Sequence, residues 1–278
     1  MRRVFDLILA MAAAVTVAFL VLPLAALFVR VSPAELLGQL TSEAALQALG
    51  VSLRTSLVAH VVILAVGTPT AYLLAMRRFR GRDLTLALIE LPLVLPPAVA
   101  GIGLLAAFGR QGLLGDSLEV LGVSLPFTEA AVILAIIFVA SPFYVRQAVA
   151  AFEALDPDVL DAARTLGASP ARVFWRVAIP MAGAGLSVGS ALAWARGLGE
   201  FGATIMIAGS LPGVTQTLPL AIYAELDRDF ATALALGAFL VVVSIALLLI
   251  VRLLPGWTSS PSIWPFRSAR SSSASTSG

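Results

Sequence analysis

The sequence predicts an all-α, polytopic membrane protein, and three observations predict it. Of 278 residues 59% are hydrophobic and the mean hydropathy is +0.98, against about 45–50% apolar for an average soluble domain. The 18 basic and 16 acidic residues are clustered, leaving uncharged stretches at Leu7–Val29, Thr55–Met76, Leu91–Gly109, Ala130–Val145, Val177–Ala195 and Phe230–Val251. With interfacial residues added, each stretch fits the roughly 20 residues that cross a hydrocarbon core of about 30 Å at 1.5 Å per residue.

The first stretch follows Arg2 and Arg3 as a signal peptide would, but its 23 uncharged residues exceed the usual 7–15 residue core. Pro23 and the lack of a small-x-small cleavage site agree, so it counts as a retained span. Residues 33–48 place Leu36, Leu37, Leu40 and Leu46 between polar residues, which predicts a short interfacial helix before the second span at about 52–76. The turn 77–83, RRFRGRD, reads as a basic topology anchor touching anionic lipid.

The third span, about 84–109, carries Pro92, Pro96 and Pro97 with Gly101 and Gly103. Each proline removes a backbone donor, so a kink is expected, as a packing feature or as part of a pathway. The remaining spans are expected at about 128–149, 177–207 and 230–252. The tail 253–278, with Ser271–Ser273 in a row, has too little apolar material to pack and reads as disordered. Six helices result. With the N-terminus inside, thirteen arginines fall on the cytoplasmic side and only Arg30, Arg110 and Arg228 outside, so both termini are expected in the cytoplasm.

Absences exclude several functions. All basic residues are arginine, so no GxxxxGK[ST] phosphate loop exists; with no cysteine and one histidine, no thiolate nucleophile, disulfide or His/Cys metal site is available. Catalytic and metal-binding residues are therefore expected to be none. His60, inside an apolar span, is either hydrogen-bonded to a neighbouring helix or a proton relay.

One sizeable soluble segment remains, from Gln147 to Arg176, with a cytoplasmic loop at about 150–176. Asp156 suits an N-cap, Pro157 the first helical position and Gly167 a left-handed residue past the helix end, so a helix of about ten residues is expected with Gly167 at positive φ. Ser169 and Pro170 repeat the signal for a second short helix toward Ile179 and Pro180. Val159, Leu160, Ala163 and Leu166 form a narrow stripe beside Asp158, Asp161 and Arg164. Such a helix can lie in a groove on a partner or pack on the protein's own helix ends.

The spacing resembles the loop motif E-A-A-x3-G-x9-I-x-L-P of bacterial ABC importer permeases. Here it reads Asp161-Ala162-Ala163, three residues, Gly167, nine residues, then Val177-Ala178-Ile179-Pro180. Aspartate stands for glutamate, valine for isoleucine and isoleucine for leucine. The resemblance covers roughly residues 48–252, the transmembrane domain, and leaves 1–47 as a first helix with an outer segment. Within the family, ELPLVLPPAVAGIGLL at 90–105 and GEFGATIMIAGSLPGVTQTLPLAIY at 199–223 look like the molybdate/tungstate branch, while Gly199-Glu200-Phe201-Gly202-Ala203 also resembles sulfate/thiosulfate permeases.

The resemblance implies a type I ABC importer permease fold in the bacterial inner membrane, a homodimer, two ABC ATPase subunits on the cytoplasmic loops, and a periplasmic or lipid-anchored oxyanion-binding protein. It implies no nucleic-acid partner and no cofactor bound by this chain, ATP and magnesium belonging to the ATPase. Asp156, Val159, Leu160, Asp161, Ala162, Ala163, Leu166, Gly167, Ile179 and Pro180 would form the docking loop. Pro96, Pro97, Arg196, Gly199, Glu200 and Thr204 are the expected pathway and gate, with Glu200 paired to Arg196 or capping a neighbouring helix. The competing class, an ion-coupled secondary transporter, would need an intramembrane carboxylate or histidine, for which Glu90, Glu129, Glu200 and His60 are the candidates.

Overall fold

The computed structural model describes residues 2–30, 34, 38, 39 and 41–253, and every regular element among them is a helix. In chain order these are α1 (Arg2–Arg30), α2 (Glu43–Met76), α3 (Arg82–Val94), α4 (Pro97–Phe108), α5 (Gly115–Val120), α6 (Glu129–Glu153), α7 (Pro157–Thr165), α8 (Pro170–Val173), α9 (Ile179–Leu198), α10 (Gly202–Ala208), α11 (Leu218–Glu225) and α12 (Phe230–Leu253). Four helical stretches among the described residues are long and apolar enough to cross a membrane, and the α3–α4 pair makes a fifth if counted as one bent span.

Helix α6 is the centre. Its buried residues set the small side chains Ala131, Ala135, Ala140 and Ala148 between larger ones such as Ile136, Tyr144 and Phe152. Lipid is as apolar as leucine, so helices in a bilayer gain by close packing rather than by burial, and small residues permit it. Helix α2 runs parallel to α6, with Arg54 beside Glu129 and Thr68 beside Tyr144. Helix α9 runs antiparallel, with Gly197 against Ile136 and Gly185 against Ala151. Helix α1 is apolar and exposed along almost its whole length and lies against α12, as a lipid-facing helix would.

Several sequence expectations are corrected. Residues 43–48 are the first turns of α2, not a separate interfacial helix: Ser42 accepts the Ala45 amide at 3.3 Å, and Ala44 through Ala48 are strong helix formers. The rest of the helix expected over 33–48 falls largely, and the tail from 254 onward wholly, outside the described residues.

The third span is broken rather than kinked, α3 and α4 being bent by 117°. Pro96 and Pro97 force it, because the residue before a proline is pushed out of the helical region. Leu95 and Pro96 are extended, with ψ near 135° and 134°. The fifth span, expected to run unbroken to 207, stops at Leu198 and restarts at Gly202. At its other end the expected second short helix forms as α8 and runs on through a π-helical turn, Phe174–Ala178, directly into α9.

Candidate functional site

Two places carry the sequence-selected residues: the α6–α8 loop at one end of the bundle, and the facing breaks between α3 and α4 and between α9 and α10. At the loop, Asp156 accepts the Asp158 amide at 2.9 Å to start α7, and Ser169 accepts the Arg172 amide at 3.3 Å to start α8. Between them Gly167 has φ +83°, a region that costs a side-chain-bearing residue strain. Its amide and that of Ala168 close the helix on Arg164 and Ala163 carbonyls. Local chemistry therefore fixes a short helix with both ends tied.

The four-residue stripe is divided. Leu160 is 3% exposed and belongs to the bundle's core, and Ala163 packs half-buried against the same core. Val159 is exposed and Leu166 is 88% exposed, so the free apolar surface of α7 lies on its outer side. Asp161 is drawn to Arg164 at 2.6 Å and stays accessible, as does Ala162. Pro180 is exposed near the start of α9, while half-buried Ile179 packs on the core.

At the breaks, α4 and α10 lie against each other through glycines. A Cβ on Gly202 would stand 2.6 Å from that of Pro97, and one on Gly101 2.7 Å from the Ala203 carbonyl. Glu200 fills the gap between α9 and α10 and does both things the sequence offered as alternatives. Its Oε2 lies 2.7 Å from Arg196 Nη2, and its Oε1 accepts the Ala203 amide at 2.7 Å. The carboxylate is almost wholly buried, so its charge is balanced locally rather than by water. Gly199 lies at the break. Thr204 is fully buried, and its hydroxyl has no hydrogen-bond partner among the described residues.

Each carboxylate that ion coupling would require has an arginine beside it. Glu90 faces Arg146 at 3.6 Å, Glu129 faces Arg54 at 2.7 Å, and Glu200 faces Arg196. His60 reaches Ser190 on α9 at 2.8 Å and meets the Trp194 ring edge-on at 4.6 Å. The sequence offered a hydrogen bond to a neighbouring helix but no signal for its partner, which lies 130 residues away. It also gave none for the π-helical turn.

The sequence matches, over residues 67–259, the family described as binding-protein-dependent transport system inner membrane component. It is 44% identical over 228 residues to the molybdenum transport system permease protein ModB of Mycobacterium tuberculosis, covering 82% of this chain and 86% of that one. To the sulfate transport system permease protein CysT of a Synechocystis strain it is 34% identical over 242 residues, covering 86% and 85%. A crystal structure of a bacterial alginate ABC transporter in complex with alginate pentasaccharide-bound periplasmic protein shares the fold, with TM-score 0.71, 18% identity, and 88% and 92% of the two chains covered.

Proposed function

The chain belongs to the family of binding-protein-dependent transport system inner membrane components, and from that premise we propose that it is the membrane-spanning permease subunit of an ATP-driven molybdate or tungstate importer. The observation that carries the substrate is the 44% identity, across 82% of the chain, to a molybdenum permease. The 34% identity to a sulfate permease makes sulfate the second reading. The chain itself does no covalent chemistry. Its spans are α1, α2, the α3–α4 pair, α6, α8 through α10, and α12, six in all. The arginine count, thirteen against three, supports cytoplasmic termini.

In this reading two copies form the path, and two ATPase subunits dock on α7 through Val159, Leu166 and its acidic edge. An extracytoplasmic receptor delivers the anion; the alginate transporter that shares the fold is in complex with a periplasmic protein bound to an alginate pentasaccharide. The division of α7 supports the mechanics: Leu160 and Ala163 fasten the helix to the bundle while its outer side stays free, so force on it reaches the spans. At the breaks, helix ends, backbone amides and hydroxyls rather than free arginines face a passing dianion, which favours release as well as entry. Arg196 is neutralised by Glu200.

Uptake of labelled molybdate and labelled sulfate by the complete complex with its own receptor tests the proposal. Molybdate uptake that excess sulfate leaves unchanged is the expected result. Sulfate uptake indifferent to excess molybdate would overturn the substrate and leave the importer reading standing.

A further inference from the structure

Helix α3 is the least embedded of the inner helices. None of its residues is fully buried, and only Leu86 and Ile89 pack half-buried on the core. Apolar contact alone would hold it weakly, because lipid offers leucine an equivalent environment. Two ion pairs of opposite polarity join it to α6. Arg82, at the start of α3, meets Glu153, the last residue of α6, and Glu90 meets Arg146 at 3.6 Å. The pairs are eight residues apart on α3 and seven on α6, about 12 and 10.5 Å of helix, so an antiparallel alignment satisfies both at once.

Arg82 does more than pair. Its Nε donates to the Leu74 carbonyl at 2.7 Å, one of the carbonyls left open at the end of α2, and Nη1 lies 3.4 Å from Asp83. One guanidinium thus gathers the end of α2, the start of α3 and the end of α6. Three residues beyond Glu153 stands Asp156, the cap of α7, and a cavity of about 790 Å³ lined by Arg78, Arg82, Glu153, Leu160, Asp161 and Arg164 separates the arginine turn from that helix. At its far end α3 breaks at Pro96 into α4, whose Pro97 touches Gly202 on α10, two residues past Glu200.

We propose that Arg82–Glu153 and Glu90–Arg146 are positioning residues that clamp α3 to α6, so that displacement of α7 by the ATPase is carried through α3 to the break at Pro96. The inference rests on the docking role given to α7 above. Ion pairs suit the task better than an apolar seam does. Helices can slide past one another in lipid with little change in apolar contact, but sliding α3 on α6 separates opposite charges at the membrane boundary. Two points of attachment also fix rotation, which one would not.

The test uses the complex purified by a tag on this chain and reconstituted in liposomes, with labelled molybdate uptake and ATP hydrolysis measured together. Glu90→Arg and Arg146→Glu are each expected to lower molybdate carried per ATP by about 5-fold or more, the lower end of typical site-to-site coupling. The ATPase should still co-purify, and the double exchange should restore the ratio. Wild-type ratios in both single variants, or no recovery in the double exchange, would overturn the clamp. Failure of the ATPase to co-purify with the unaltered chain would instead overturn the docking reading, and the clamp with it.

A second measurement needs no charge change. The chain has no cysteine, so spin labels on cysteines introduced at exposed Leu88 and Ala150 report the α3–α6 separation once the distances between the two copies, measured in the two singly labelled variants, are subtracted. A separation unchanged between nucleotide-free and ATP-bound complexes is expected, and one that shifts with nucleotide overturns the clamp.

Discussion

Glu200 and Arg196, one helical turn apart across the end of α9, face each other at 2.7 Å, and the same carboxylate starts the next helix through the Ala203 amide. One side chain therefore neutralises a cation and caps α10. Glu200→Gln retains an amide oxygen for the cap but strands Arg196, whereas Glu200→Ala loses both. Removing one partner of a buried pair costs about 3–5 kcal/mol, so both variants should lower thermal stability in detergent, the alanine more. Glu200→Gln combined with Arg196→Leu should cost less than Glu200→Gln alone. Equal stability of all variants would show that the pair carries no structural weight.

Gly167 should not tolerate a β-branched residue. At φ +83° valine is strained, while asparagine enters the left-handed region more readily. Gly167→Val is expected to insert normally yet lose transport-coupled ATP hydrolysis, with Gly167→Asn intermediate. Substrate-stimulated ATPase activity in reconstituted complexes measures this. Full stimulation in the valine variant would remove the loop's end from the mechanism.

The divided stripe of α7 lets its packing be tested apart from the docking proposed for it. Leu160→Ala removes a buried leucine and should destabilise the bundle by about 2–5 kcal/mol. Leu166→Ala, at an 88% exposed position, should leave stability unchanged and weaken ATPase binding. A single cysteine at 166 should crosslink to the ATPase, and one at 160 should not. The reverse pattern would mean that α7 turns over when the complex forms.

Acid should loosen the start of α12. Asp229 accepts hydrogen bonds from the Thr232 hydroxyl at 2.5 Å and the Thr232 and Ala231 amides, which hold its carboxyl below the ordinary value of 3.8. A depressed folded-state value stabilises the cap above the unfolded value, and that stabilisation is lost as pH falls through the folded one. Hydrogen exchange at the Ala231 and Thr232 amides should therefore lose protection below about pH 4, the unfolded carboxylate range. In Asp229→Asn the protection should not vary with pH there.

Much of the α6–α8 loop was legible because its information is local. Asp156, Pro157, Gly167, Ser169 and Pro170 act on backbone within four residues of themselves, and each acts where the sequence placed it. The Arg196–Glu200 pair was legible for the same reason, being one turn apart. The prolines at 96 and 97 marked the site of distortion but not a bend of 117°, which depends on what α4 packs against once the helix is interrupted. Burial of Leu160 was hidden because it depends on the end of the bundle that α7 meets. The His60–Ser190 contact was hidden as well, since no periodicity within one helix names its partner on another.

The π-helical turn at Phe174–Ala178 acts on length rather than on composition. Each residue of an α-helix advances the side chains by about 100°, and a π turn holds one residue more than an α turn in the same rise. The stretch between Gly167 and Pro180 therefore takes up one more residue than a plain α-helix would, without turning what lies beyond it. Any substitution that keeps the turn leaves the azimuth of α9 intact. A one-residue deletion between 174 and 178 would close the turn to α geometry in the same rise and leave Ser190 facing His60 and Gly197 facing Ile136, whereas the same deletion inside α9, between 181 and 189, would rotate both contacts away by about 100°. In this segment the helix has one residue of slack in its length, which the regular turns of α9 do not have.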